Sequence, residues 1–295
     1  MTRLLVHPEV DAALAAGKPV VALETSIVAQ GLPAPHNLDA ALGCEQRIRD
    51  RGAVPATTAV LDGCLRVGLS EGELRSLAAR SAARKVSSRD LGPALASRAA
   101  GATTVAATMR IAEMAGIRFM ATGGIGGVHR GDVDDVSADL AELARTRVAV
   151  FCAGPKLVLD VRRTLERLDS SAVPVVAWRS DRVPAFYVPD SGFAAPARAD
   201  TAEDLVQLLA AAWRTGARGI VIAVPPPREL AGAEEMVARA QREAGKVTGD
   251  EVTPRLLARV AELSGNASVD LNVELVVNNA GVAAECAAAW ARRAG

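Results

Sequence analysis

Residues 119–139 read FMATGGIGGVHRGDVDDVSAD, and the fold is decided here. Ile117 to Ala121 is a short apolar run, predicted as a buried strand. It opens into a loop with glycines at 123, 124, 126, 127 and 131, followed by His129, Arg130 and the acids Asp132, Asp134 and Asp135. Ser137-Ala138-Asp139 then enters a helix. Glycines let backbone N–H groups approach a ligand closely. Arg130 and the helix start suit an anion, and the carboxylates suit a divalent metal. The same residues also read as a long connection with solvated charges, and the loop alone does not decide between the two.

Upstream, Val20 to Leu23 is an apolar strand ending in Glu24-Thr25-Ser26. A carboxylate at the end of an apolar strand is where α/β folds place chemistry, although it also suits a surface acid. Residues 8–17 form a short helix by pattern, and Asn37 is placed to cap another that runs to Arg51 and stops at Gly52. Val54–Leu61, Asp62-Gly63 and Cys64–Val67 read as a hairpin, which makes the sheet mixed. Ser70-Glu71-Gly72-Glu73 is a capping box. Arg84 to Asp90 gathers cations and hydroxyls that read as a solvated turn or a phosphate site. A helix is expected from Asp90 to Ala100, and Gly101 to Val105 is expected to begin the next.

Downstream, Ser137 to Arg145 is a helix and Val148 to Cys152 a strand. Ala153-Gly154-Pro155-Lys156 follows, and Pro155 suits the first turn of a helix reaching Leu168. A lysine there opposes the helix macrodipole, a field that with burial favours a neutral, nucleophilic amine. The surface-lysine reading remains open at this point. Strands at Val173–Trp178 and Gly219–Val224 alternate with helices at Thr201–Thr215, Glu229–Glu243 and Thr253–Gly265. Residues 180–200 are irregular and Lys246 to Thr253 is a polar crossing. The last helix, Val269–Arg293, carries Asn272, Asn278 and Asn279 inside an apolar pattern; buried amides must be hydrogen-bonded, as structural clamps or ligand contacts. This alternation, without linker or repeat, predicts one three-layer α/β/α domain over residues 1–295 with a mixed central sheet.

Composition narrows the function. Half of the 295 residues are hydrophobic but only 3% aromatic, so the core must be aliphatic. A formal net charge of zero gives no footprint for a nucleic-acid polymer or an anionic membrane. No apolar run reaches a membrane span, and the start MTRLLVHPEV is a poor signal peptide. The four cysteines, at 44, 64, 152 and 286, show no CxxC spacing and read as thiols of a cytoplasmic protein. GxGxxG after the first strand and GxxxxGK[ST] are both missing, which disfavours Rossmann cofactors and a P-loop.

The segments VALETSIVAQGLP, ARKVSSRD, GATTVAATM, ATGGIGGVHRG, DVSADL, FCAGPK, TPRLLARVAEL and LVVNNA run in order along almost the whole chain. Together they resemble the pseudouridine-5′-phosphate glycosidase family, which includes indigoidine synthase A-like proteins. The resemblance implies an indigoidine synthase A-like fold and a homotrimer. It also implies reversible hydrolysis of the carbon–carbon glycosidic bond of pseudouridine 5′-phosphate to uracil and ribose 5-phosphate, with Mn2+, or Mg2+ in its place. It casts Glu24 as proton donor, Lys156 as nucleophile and Asp135 as metal ligand. Lys85, Val105, Ser137, Ala138, Asp139, His129 and Asn279 become substrate contacts.

The chemistry explains the residue types. Uracil joined through C5 must leave as a stabilised carbanion, so an acid and an amine are needed where ordinary glycosidases use two carboxylates. A neutral amine forms an imine and a carboxylate cannot. Two other readings keep parts of this set: a Schiff-base lyase or aldolase on another sugar phosphate, and a non-catalytic nucleotide-binding protein.

Overall fold

The computed structural model describes residues 4–79, 83–131, 134–244 and 252–294. Among these, strands β1 (Leu4–Val6), β2 (Val20–Leu23), β3 (Val54–Leu61), β4 (Cys64–Val67), β5 (Arg84–Val86), β6 (Gly101–Thr103), β7 (Phe119–Ala121), β8 (Ala149–Cys152), β9 (Val175–Trp178), β10 (Ala197–Ala199) and β11 (Ile220–Ala223) form one sheet. Its order is β1-β4-β3-β2-β7-β8-β11-β9-β10, with β6 added to β3 and β5 to β6. The pairs from β2 through β10 are parallel, whereas β3 runs antiparallel to β4 and β6. Strand β3 is the joint. Val54–Thr57 pair with β2, and the half from Thr58 onward pairs with β4 and β6.

The helices are α1 (Pro8–Ala15), α2 (His36–Asp50), α3 (Glu71–Ala79), α4 (Leu91–Ser97), α5 (Val105–Met114), α6 (Ala138–Leu143), α7 (Val161–Ser170), α8 (Ala202–Arg214), α9 (Ala233–Ala244), α10 (Val252–Leu263) and α11 (Ala267–Ala294). Side chains of a strand alternate between faces, and the core follows that rule. Val21, Leu23, Phe119, Ala121, Phe151 and Ile222 pack towards α2, α8, α9, α10 and α11. Their neighbours Val20, Ala22, Met120, Val150, Cys152 and Val221 pack towards α1, α4, α5 and α6. Both faces are covered, so the central strands read as continuous apolar runs, as parallel sheets require. A mixed sheet with helices on both sides is the α/β fold predicted.

Several local expectations change. Gly101–Thr103 is strand β6, not the start of a helix, and α5 begins only at Val105 behind the Thr104 cap. The cause is tertiary. Gly101 lies between β3 and β5, and a Cβ there would sit 2.5 Å from Val86 Cγ2. Arg84–Val86 is likewise a strand, and Ser88–Asp90 a single 3₁₀ turn. Asn37 does not cap α2. Its amide donates to Val28 O and Ala78 O, strapping the π-helical turn Ile27–Gly31 to the end of α3. Helix α9 starts at Ala233, not Glu229, and β1 and β10 are edge strands too short to read from pattern. The Ser70–Glu73 capping box is present, Glu73 N bonding Ser70 Oγ and Ser70 N bonding Glu73 Oε2. Most of the Lys246–Thr253 crossing lies outside the described residues, but Thr253 stands in the first turn of α10.

Candidate active site

The register of the sheet puts Leu23 beside Ala121 and Ala121 beside Phe151. The residues that follow these positions therefore emerge together at the carboxyl ends of three adjacent parallel strands, where α/β sheets bind ligands. They are Glu24 after β2, Thr122-Gly123 after β7, and Ala153-Gly154-Pro155-Lys156 after β8.

Glu24 is clasped by two hydroxyls, Ser26 Oγ donating to one carboxylate oxygen and Thr122 Oγ1 to the other. Burial pushes its pKa above the usual carboxylate range. The Lys156 ammonium and the two hydroxyls pull the other way, and the charge of Asp139 adds to the rise. A carboxyl pushed toward its protonated form, with a cation in electrostatic reach, is the arrangement general acid catalysis uses. Glu24 and Lys156 thus belong to one electrostatic unit, although they stand 132 positions apart in sequence.

Lys156 does not start a helix. Its amide donates to Ile125 O at 3.2 Å, Ala153 N donates to Gly123 O at 2.8 Å, and Ile125 N donates to Gly154 O at 3.1 Å. The pairing of β7 with β8 therefore continues into the two loops, with an isolated bridge between Ile125 and Pro155. Helix α7 begins five residues after Lys156, behind Asp160, whose side chain caps Arg163 N. The macrodipole argument for Lys156 therefore does not apply. What positions the lysine is an extension of the sheet.

That extension also explains the glycines, and not as an open ligand cradle. A Cβ on Gly124 would meet Phe186 at 2.6 Å, one on Gly126 would meet Ser137 Oγ at 2.2 Å, and one on Gly127 would meet Thr164 Oγ1 at 2.2 Å. Their side-chain space is filled by protein. Gly154 has φ +80°, and a Cβ there would lie 2.0 Å from Pro184 O. Arg130 is likewise engaged by protein rather than poised for an anion, donating to the carbonyls of Leu157 and Leu159, each at 3.0 Å.

Asp139 is buried, and its carboxylate accepts from Ala106 N at 3.0 Å and Gly126 N at 2.8 Å. It ties the first turn of α5, which opens with buried Val105, to the glycine loop. Ser137 caps α6, its hydroxyl accepting from Asp139 N, and Ala138 is the first residue of that helix. Asn279, fully buried on α11, donates to Thr122 O at 2.8 Å and Gly123 O at 3.3 Å. It holds the end of β7 in place. Lys85 is exposed on β5 at the rim of the sheet, next to Val86, whose carbonyl accepts from Thr104 N.

His129 and Asp135 make a second group. Nδ1 of His129 is 3.1 Å from Asp135 Oδ1, and Nε2 is 3.1 Å from Thr253 Oγ1 of α10. Among the described residues no three His, Cys, Asp or Glu side chains converge as a metal cage. A single carboxylate fits a hard divalent ion only if water supplies most of the shell, which Mg2+ and Mn2+ tolerate. Of the other two loop acids, Asp134 is exposed and Asp132 lies outside the described residues.

Two hydroxyls, Ser26 and Thr122, were not foreseen as site residues. The available signal was position: Ser26 stands two residues beyond Glu24, and Thr122 is the first residue past β7.

The family model described as indigoidine synthase A like protein matches residues 9–289. The chain belongs to the indigoidine synthase A-like family. It is 54% identical to a pseudouridine-5′-phosphate glycosidase of Rhodospirillum centenum, over 98% of this chain and 93% of that one. It is 49% identical to the protein of that name from Deinococcus radiodurans, over 97% and 95%. It is 45% identical to that of Escherichia coli, over 99% and 97%. Among solved structures it resembles an indigoidine synthase A-like protein of Thermotoga maritima, with TM-score 0.90 and 30% identity over 97% of this chain and 96% of that one. It also resembles the prealnumycin C-glycosynthase AlnA in complex with ribulose 5-phosphate, with TM-score 0.89 and 34% identity over 100% and 99%. This indigoidine synthase A-like chain therefore carries its acid and its lysine on a scaffold shared with proteins named for making or breaking C-glycosidic bonds.

Proposed function

We propose that the chain is a single-domain enzyme that reversibly hydrolyses the C–C glycosidic bond of pseudouridine 5′-phosphate, releasing uracil and ribose 5-phosphate in nucleotide breakdown. The observation that carries this reading is a protonated-leaning Glu24 within electrostatic reach of Lys156, past the carboxyl ends of β2 and β8, the two strands that flank β7. The relatives named pseudouridine-5′-phosphate glycosidase, at 45–54% identity, give the substrate.

Glu24 gives its proton to the ribose ring oxygen as the Lys156 amine attacks C1′. The N–C1′ bond forms, and the C1′–O bond to the ring breaks to leave a hydroxyl. The secondary ammonium so formed gives up a proton to the now ionised Glu24 or to water, and the freed nitrogen lone pair forms an iminium while the C1′–C5 bond breaks, its electrons passing to uracil as an enolate-like carbanion. That carbanion takes up a proton at C5 and departs. Water adds to the iminium and frees ribose 5-phosphate and Lys156. Thr122 and Ser26 orient the carboxyl of Glu24, and Asn279 fixes the loop that presents Thr122.

In this reading Asp135, steadied by His129, holds a water-rich Mn2+ or Mg2+. When bound, the ion adds positive charge that offsets the substrate phosphate. Lys85 and the first turn of α5 at Val105 are assigned to the substrate rim, together with Ser137, Ala138 and Asp139 at the start of α6. The assembly is proposed to be a cytoplasmic homotrimer. The test is incubation with pseudouridine 5′-phosphate and Mn2+, reading uracil by chromatography. Release of uracil supports the assignment. Turnover of other sugar phosphates without uracil release from this substrate moves it to a Schiff-base lyase.

A further inference from the structure

The opposite end of the sheet carries a cluster that the proposed reaction does not use. Arg118 precedes β7 and Arg147 precedes β8, two strands that pair side by side. Both guanidinium carbons lie over the indole of Trp213 on α8, at 5.7 Å and 5.4 Å from its centre. Trp213 is itself fixed. Its Nε1 donates to Arg218 O at 2.9 Å, and its ring packs edge-on against Trp290 at 4.9 Å and Phe119 at 6.5 Å.

Neither guanidinium pairs with a carboxylate or donates a hydrogen bond to any other described residue. Arg147 Nε is fully buried and lacks a partner. Glu113, the acid near this end, is engaged elsewhere, accepting from Arg147 N at 2.8 Å and pairing with Arg110 at 3.4 Å. Two cations set against one indole ring repel each other, and burial together with Arg147 lowers the pKa of Arg118. Buried donors without partners call for an unseen water or ion. Guanidinium forks match the oxygens of phosphate bidentately while their faces stay stacked on an aromatic ring.

We propose that Arg118, Arg147 and the face of Trp213 form a second oxyanion site, at the amino ends of β7 and β8, that takes a phosphate group. Its source is inorganic phosphate or a small phosphate monoester such as ribose 5-phosphate. The site is remote from Glu24 and Lys156 and does not depend on the reaction assigned to them.

The probe is the fluorescence of the Trp213–Trp290 pair in the full-length Trp178→Phe protein, because Trp178 lies at the catalytic end of the sheet. Sodium phosphate is titrated against sodium chloride at matched ionic strength, and ribose 5-phosphate is titrated in parallel. The expected result is a saturable change with phosphate and none with chloride. Apparent affinity should fall about tenfold or more in both Arg147→Gln and Arg118→Gln, and uracil release by both should stay at the parent level. The ribose 5-phosphate arm assigns the source by which of the two binds more tightly. If one variant fails to fold, as judged by circular dichroism, the other decides. No phosphate-specific change, or a change that survives in a folded arginine variant, overturns the site.

Discussion

At the residue scale, Glu24 is set by opposing influences. Burial favours its neutral form, while the Ser26 and Thr122 hydroxyls and Lys156 favour its charge. Removing a donor removes part of that opposition, so Thr122→Val raises the pKa of Glu24 further. In the proposed reaction Glu24 acts while protonated, so the alkaline limb of kcat/KM, where activity falls as pH rises, is expected to move to higher pH. A limb that stays put or moves down counts against Glu24 as the acid. The same shift bears on stability. The folded protein binds the Glu24 proton more tightly than the unfolded chain does. That contribution is present below the unfolded pKa and is lost as pH rises through the raised folded value. Glu24→Gln should therefore melt no lower than wild type at pH 8 while uracil release falls about 10²–10⁴-fold. Lower stability with full activity would reverse both halves of that expectation.

At the scale of elements, the loops after β7 and β8 act as an extension of the sheet. Their parallel pairing runs from Gly123 with Ala153 to Ile125 with Lys156, and a separate antiparallel bridge joins Val128 to Asp160. Gly154 is its tightest point, with a positive φ and the Pro184 carbonyl where a Cβ would stand. Gly154→Ala should cost about 3 kcal/mol or more, read from urea denaturation, and should displace Lys156 enough to abolish uracil release. A stable, active variant would show that the ladder does not position the lysine. These loops also mark where sequence reading reached its limit. The strands β2, β7, β8 and β11 are uninterrupted apolar runs bounded by punctuation, so pattern finds them. Gly126 and Gly127 carry no local sign that their neighbours are Ser137 and Thr164, since that is a tertiary fact. Pro155 suits a helix start by propensity alone, and pairing with Ile125 overrides it. Asp139 was legible as a special residue, but its two backbone partners come from segments 33 and 13 residues away.

At the scale of the whole molecule, the parallel sheet brings residues from distant segments to one end, and α11 closes over it with Asn279. The pair of His129 with Asp135 stands at the outer edge of this arrangement, linked to α10 through Thr253. A metal held there should be removable without unfolding the core. Treatment with EDTA is expected to reduce uracil release at least about tenfold with an unchanged circular dichroism spectrum and recovery on adding Mn2+. Asp135→Asn is expected to need a higher Mn2+ concentration for half-maximal rate. Full activity after chelation, with metal analysis showing an empty protein, would remove the ion from the account. The four cysteines are buried and unpaired, and burial raises the pKa of Cys152, the last residue of β8, to about 12, so this thiol does not rival the lysine amine proposed as the nucleophile.

The central claim is that Lys156 bonds to the sugar. Borohydride added during turnover of pseudouridine 5′-phosphate would reduce an imine to a stable amine. The expected result is an intact-mass increase for one pentose phosphate per chain, located on the peptide containing Lys156 and missing in Lys156→Ala. Free uracil released at full rate with no adduct, or an adduct on another lysine, would contradict it.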